Sequence, residues 1–242
     1  MPKYEMEFVA QKKIPSLIPI DGYKNVPIME CNESLVQLYE SERLKLSMLY
    51  FKKNFEGAED VSYVRASVSK MLSHVSIILP REYILTINDG WRSYKVQIEI
   101  YKRMFEYIKL MHLDWSEEQL HEEASKFASS GSLDLKAPSP HFTGGSVDVT
   151  LANNKGIEYY MGSEFDEAII ESETRYFEEK IEKGLKLTNL ETEALQNRRI
   201  LFHCMIQAGF TNYSNEWWHF DYGNQLWAKI KDRNAFYGLT KP

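Results

Sequence analysis

His141 and Asp148 stand seven residues apart in Ser139-Pro-His-Phe-Thr-Gly-Gly-Ser-Val-Asp148, and Glu216-Trp-Trp-His219 lies far downstream. These segments supply two imidazoles, one carboxylate able to ligate and one spare carboxylate. That is the donor set of a catalytic zinc site: three protein ligands, a fourth position open to water, and a base beside it.

The elements around them must bring the donors together. Ser146 to Leu151 alternates as a strand, with Val147, Val149 and Leu151 on one face and Asp148 and Thr150 on the other. Gly144-Gly145 permits a tight entry that sets His141 at the start of that strand. His219 is the best third ligand. Phe210 to Tyr222 is aromatic-rich and reads as strand, and on a regular strand Glu216 and His219 face opposite ways, so a bulge or twist has to bring Glu216 round. A plainer reading stays open: Asp148 as a solvent-facing strand residue and Glu216 as a solvated loop carboxylate. His74, His112, His121 and His203 fall on predicted helices without a metal-binding helical motif and read as ordinary core or surface groups.

The 242 residues are 43% hydrophobic and 26% charged, an ordinary globular balance. The formal net charge of -6 argues against nucleic acid, which needs a basic face. Cys31 and Cys204 form no C-x-x-C pair, and Cys204 reads as a buried free thiol. The longest apolar region, Val75 to Ile87, is broken by Pro80, Arg81 and Glu82, so no membrane span is expected. The start lacks the apolar core of a signal peptide, which points to a cytoplasmic protein; a signal already removed would look the same.

Residues 1–30, with four prolines and an Asp21-Gly22 turn, read as an extended arm. Helices are expected over 33–54, 60–78 and 94–110. Ser116-Glu-Glu-Gln119 and Thr188-Asn-Leu-Glu191 are capping boxes opening two more, the second closed by Gly209. Tyr83 to Asn88 reads as a strand. Few short strands among many helices predict an α+β fold with a small antiparallel sheet flanked by helices. The chain reads as one domain, 1–242, with an arm and helices over 1–80 and a catalytic core over 81–222.

Four segments then carry a family resemblance. They are Asp89-Gly-Trp-Arg-Ser93, the Ser139 to Leu151 segment, Met161-Gly-Ser-Glu-Phe-Asp166, and a C-terminal third with Gln196-Asn-Arg-Arg199, Gly209-Phe and Glu216-Trp-Trp-His219. In order and rough spacing the chain resembles the D-alanyl-D-alanine dipeptidases. These are zinc enzymes related to the vancomycin-resistance dipeptidases, and they share a fold with a domain of Hedgehog signalling proteins. The first eighty residues resemble the family only loosely. The resemblance implies one Zn2+ per chain on His141, Asp148 and His219, with Glu216 as general base and Arg92 as electrophilic helper. It further implies Asp166 as the anchor for the substrate ammonium and Ser139 as a contact to the substrate backbone. Pro140, Trp91 and Ser93 are local departures, and none is a ligand. The implied substrate is a small D,D-dipeptide. The alternatives are a zinc D,D-carboxypeptidase or endopeptidase on peptidoglycan stem peptides, or a non-catalytic zinc-binding module on the same fold. The oligomeric state is not written in the sequence.

Overall fold

The computed structural model describes residues 9–242; the first part of the expected arm, residues 1–8, lies outside the described residues. The strands are β1 (Leu35–Gln37), β2 (Leu44–Leu46), β3 (Tyr63–Arg65), β4 (Ile84–Asp89), β5 (Ser146–Ala152), β6 (Thr211–Asn212) and β7 (His219–Asp221). The helices are α1 (Leu49–Lys52), α2 (Ala66–Ile78), α3 (Tyr94–Met111), α4 (Glu117–Phe127), α5 (Tyr176–Glu182), α6 (Asn189–Gln207) and α7 (Gln225–Lys231). The architecture is α+β, as expected. A five-stranded sheet has the order β2-β4-β5-β7-β6, and β1 pairs with β3 in a separate ribbon. All neighbours are antiparallel except the edge pair β2 and β4, which is parallel.

The centre of the sheet is β5, buried along its whole length. Val147, Val149 and Leu151 join the main core, and Asp148 and Thr150 occupy the other face. That core gathers side chains from Ile14 to Tyr237, including Leu85 and Ile87 of β4, Val68 and Leu72 of α2, and Leu201 and Met205 of α6. Burying such side chains stabilises by roughly 1.5–3 kcal/mol each before entropy is charged against them.

β4 carries a bulge: Ile87 pairs with Val149, but Asp89 pairs with Asp148. Two residues of β4 therefore oppose one of β5, which turns the Asp89 side chain toward Asp148. Immediately beyond, Ser93 Oγ accepts a hydrogen bond from Val96 N and starts α3. Both capping boxes form, at Ser116 with Gln119 and at Thr188 with Glu191. Gly209 follows α6 at φ 108°, where a side chain would strain the turn.

Three expectations need correction. The helix over 33–54 is replaced by β1, β2 and the single-turn α1. Asn32, Met48 and Asn54 adopt left-handed backbone, which a continuous right-handed helix cannot contain. The three-residue strands there are fixed by pairing with β3 and β4, information that local periodicity lacks. The helix over 60–78 begins only at Ala66, after β3. Likewise Phe210 to Tyr222 is not one strand but a hairpin, β6 and β7, closed by a turn that contains Glu216. Neither α5 nor α7 was anticipated.

The arm from residue 9 runs over the body with a single 3-10 turn, Tyr23–Asn25. Buried Arg65 ties it down, bonding the Glu30 carboxylate, the Glu33, Thr143 and Gly238 carbonyls. Among the described residues, no helix is long and apolar enough to cross a membrane.

Candidate metal centre and cleft

His141, Asp148 and His219 come together. Each offers one ligand atom, all within 4.8 Å of one another, and all three residues are buried. Their positions follow from local structure. Ser139 leads into a 3-10 turn, Pro140–Thr143, that carries His141. Asp148 and His219 are directly paired across β5 and β7. A side chain at Gly145 would collide with the Tyr222 backbone carbonyl, its Cβ only 2.3 Å away, so the turn can enter the sheet only with glycine there.

A hydrogen bond fixes the His141 tautomer. His141 Nδ1 lies 2.8 Å from the Gly90 carbonyl oxygen, which can only accept. The proton sits on Nδ1, and the lone pair is on Nε2. His219 faces carboxylates from both ring nitrogens, Nε2 at 3.1 Å from Asp221 Oδ1 and Nδ1 at 3.0 Å from Asp148 Oδ1; with the proton on Nε2, the Nδ1 lone pair is free to ligate. The two lone pairs then face each other at 3.2 Å. The Asp148 carboxylate lies 3.3 Å from His141 Nε2 and 3.0 Å from His219 Nδ1. Three electron-rich atoms this close repel unless a cation lies among them. Two imidazole nitrogens and a carboxylate oxygen are the donor types that zinc prefers. The residues present therefore fit a divalent ion.

A second layer of groups orients these donors. Asp221 Oδ1 also accepts from Ser146 Oγ and Asn224 Nδ2, which locks the carboxylate against His219. Burial works against ionised Asp221, but its contacts with His219, Ser146 and Asn224 outweigh it and hold the carboxyl below the usual range. For Asp148, burial is likewise overcome by His141 and His219, and the carboxyl stays well below the usual range.

Arg92 is buried against Asp148. Its Nε donates to Asp89 Oδ2 at 2.6 Å, Nη1 to Gln97 Oε1 at 2.9 Å, and Nη2 to Tyr50 OH at 3.3 Å and Asp148 Oδ2 at 3.1 Å. The guanidinium has five N–H groups, so these four contacts leave one on Nη1 to donate elsewhere. It also stacks 5.0 Å from the Tyr50 ring centre.

Glu216 Oε2 lies 3.8 Å from His219 Nδ1, with 31% of its side chain open to the cleft. Burial pushes its carboxyl up to about 7. Asp166 stands in left-handed backbone, φ 66°, and its carboxylate is enclosed by neighbours yet open to the cleft. Burial raises its pKa, Arg92 opposing. Ser139 Oγ accepts from Ser132 N at 2.8 Å, so its hydroxyl proton is left to donate.

His141, Asp148, His219, Arg92, Glu216, Asp166 and Ser139 line one cleft of about 410 Å3, together with Trp218, Tyr213 and Gln97. A second cavity of about 430 Å3 adjoins it, sharing Asp166, Tyr213, Glu216 and Trp218. The four other histidines lie elsewhere: His121 bonds Tyr101 OH, His203 the Lys12 carbonyl, His112 stacks on Trp115, and His74 is exposed. Cys204 is a buried free thiol, as expected.

Sequence reasoning missed Asp89, Asp221, Gln97 and Tyr50. Asp89 and Asp221 carried a usable signal, since each sits two or three residues from a predicted site residue in the same motif. Gln97 follows Arg92 by five residues on α3, but nothing marks its amide for an arginine. Tyr50 was hidden in a segment expected to be helical.

Comparison with known proteins gives two findings. Residues 64–236 match the family model for peptidase M15, D-Ala-D-Ala dipeptidase. The chain is 28% identical over 224 residues to a D-alanyl-D-alanine dipeptidase of Synechocystis sp., an alignment covering 87% of this chain and 90% of that protein.

Proposed function

The chain belongs to the peptidase M15 family of D-Ala-D-Ala dipeptidases, and is a peptidase; from that premise we propose that it is a zinc-dependent dipeptidase hydrolysing D-alanyl-D-alanine. The observation that carries the reading is the convergence of two imidazole lone pairs and a buried carboxylate beside an accessible glutamate and a buried arginine.

His141 Nε2, His219 Nδ1 and the Asp148 carboxylate would hold the ion. Bound zinc supplies Lewis-acid activation of water and of the scissile carbonyl. Glu216 takes the proton from the attacking water, orients the attack, and later delivers a proton to the leaving amine. Its raised pKa suits both halves of that task, because a carboxyl near neutrality can accept and release a proton within one cycle. The free N–H of Arg92 donates to the carbonyl oxygen as charge develops on it, worth roughly 3–4 kcal/mol for one well-placed donor. Asp89, Gln97 and Tyr50 hold the guanidinium in place, so little reorganisation accompanies the reaction. Asp166 receives the substrate ammonium, and Ser139 donates its hydroxyl proton to the substrate backbone. We take residues 1–242 as one domain, with 1–80 as arm and wall and 81–222 as the catalytic core.

The test is hydrolysis of D-Ala-D-Ala against L-Ala-L-Ala by purified protein, with chelator and with zinc restored. Turnover of the D,D-dipeptide should vanish with chelator and return with zinc. Chelator-insensitive turnover, or none in the zinc-loaded protein, contradicts the reading. Glu216→Ala should abolish turnover and keep the metal.

A second reading has one observation in its favour. The cavity beyond Asp166 offers room for residues on the amino-terminal side of the scissile bond, as a carboxypeptidase acting on stem peptides would use. Faster turnover of a stem pentapeptide than of the dipeptide would support it.

A further inference from the structure

The cleft lining carries charge of both signs. Asp166 and Glu216 lie where it meets the adjoining cavity, whose wall adds Glu167 and Glu173. Lys24 and Ser139 line only the main cleft. Arg92 and Lys24 are the two cationic side chains on that lining, among the described residues. The charge of Arg92 is already matched by two buried carboxylates, and its one free N–H is assigned to the carbonyl oxygen. Lys24 has no ion-pair partner among the described residues; its Nζ lies 5.9 Å from the ring centre of the adjacent Tyr23, another lining residue.

The backbone that presents Lys24 is held firmly. Gly22, in left-handed backbone, starts the 3-10 turn, and Val26 N closes it on Tyr23 O. Gln225, buried at the start of α7, donates to the Lys24 carbonyl at 3.0 Å and to the Val26 carbonyl at 2.7 Å. A flexible ammonium on a pinned turn thus lines the same cleft as the candidate metal ligands and the two acids.

We propose that Lys24 receives the terminal carboxylate of the substrate and so selects peptides with a free C-terminus just past the scissile bond. This rests on the dipeptidase reading. A dipeptide zwitterion carries an ammonium and a carboxylate, and the cleft lining offers Asp166 for the first and Lys24 for the second. The carboxylate also needs a cation of its own, because leaving it unpaired in the cleft costs binding energy.

The experiment measures kcat and KM for D-Ala-D-Ala and for its C-terminal amide, on zinc-loaded wild type, Lys24→Gln, Lys24→Arg and, as a charge control on an exposed turn, Lys155→Gln. The wild type should prefer the acid. Lys24→Gln should raise KM for the acid about tenfold, as loss of a charged hydrogen bond implies, with a much smaller change in kcat and no change in KM for the amide. Lys24→Arg should recover most of the preference, and Lys155→Gln should leave it intact. If Lys24→Gln keeps the wild-type ratio of acid to amide, the proposal is overturned while the dipeptidase reading survives. If the wild type hydrolyses neither compound, the dipeptidase reading falls and this proposal falls with it.

Discussion

Asp221 shows how much of a metal site lies one bond beyond its ligands. It faces His219 Nε2 and is itself fixed by Ser146 and Asn224. Asp221→Asn keeps the shape but weakens that hold, so zinc affinity should fall roughly 10- to 100-fold, read by competition with a fluorescent chelator. In the proposed mechanism Glu216 sets the pH response. It must be ionised to accept a proton, so kcat/KM falls as pH drops through its pKa. Burial pushes that carboxyl up to about 7, and a nearby cation pulls it back down. An acid limb of one-proton slope with its midpoint at or below about 7 is therefore expected in the pH profile. A rate that does not fall anywhere on the acid side would remove Glu216 from the base role.

The elements differ in what decides them. The capping box at Thr188 is local: its side chain accepts from Glu191 N, and Glu191 accepts from Thr188 N. Thr188→Ala should cost about 1 kcal/mol and lower Tm by roughly 2–4 °C, measured by calorimetry, with kcat unchanged because α6 starts far from the cleft in sequence and lends it no lining residue. β1 and β2 are the opposite case. Three residues long, they exist through pairing with β3 and β4, and the intervening left-handed Met48 forbids the helix that Leu35, Leu38, Leu46 and Leu49 suggest. The turn at Glu216 answers the puzzle of its spacing from His219. No bulged strand is needed, since Glu216 sits in the loop before β7, where His219 N bonds the Glu216 carbonyl.

At the scale of the molecule, the central elements were legible because each has a local signature: alternation along β5, caps on α4 and α6, and glycines at the entry to β5. The candidate ligands were legible because histidine and aspartate stand at sheet-entry positions with few competitors. What was not legible is what depends on distant parts of the chain. Tyr50 stacks on Arg92 from α1, Lys24 is held at the cleft by Gln225 of α7, and the bulge that aims Asp89 is a matter of register between β4 and β5. The arm is thus part of the cleft wall and not a loose extension. The most direct test of the whole is anomalous diffraction at the zinc edge from crystals of the zinc-loaded Glu216→Gln protein soaked with D-Ala-D-Ala. The expected result is one peak per chain at bonding distance, about 2.0–2.2 Å, from His141 Nε2, His219 Nδ1 and the Asp148 carboxylate, with the dipeptide intact beside it. No peak among those three side chains, or an ion held by other residues, would contradict it.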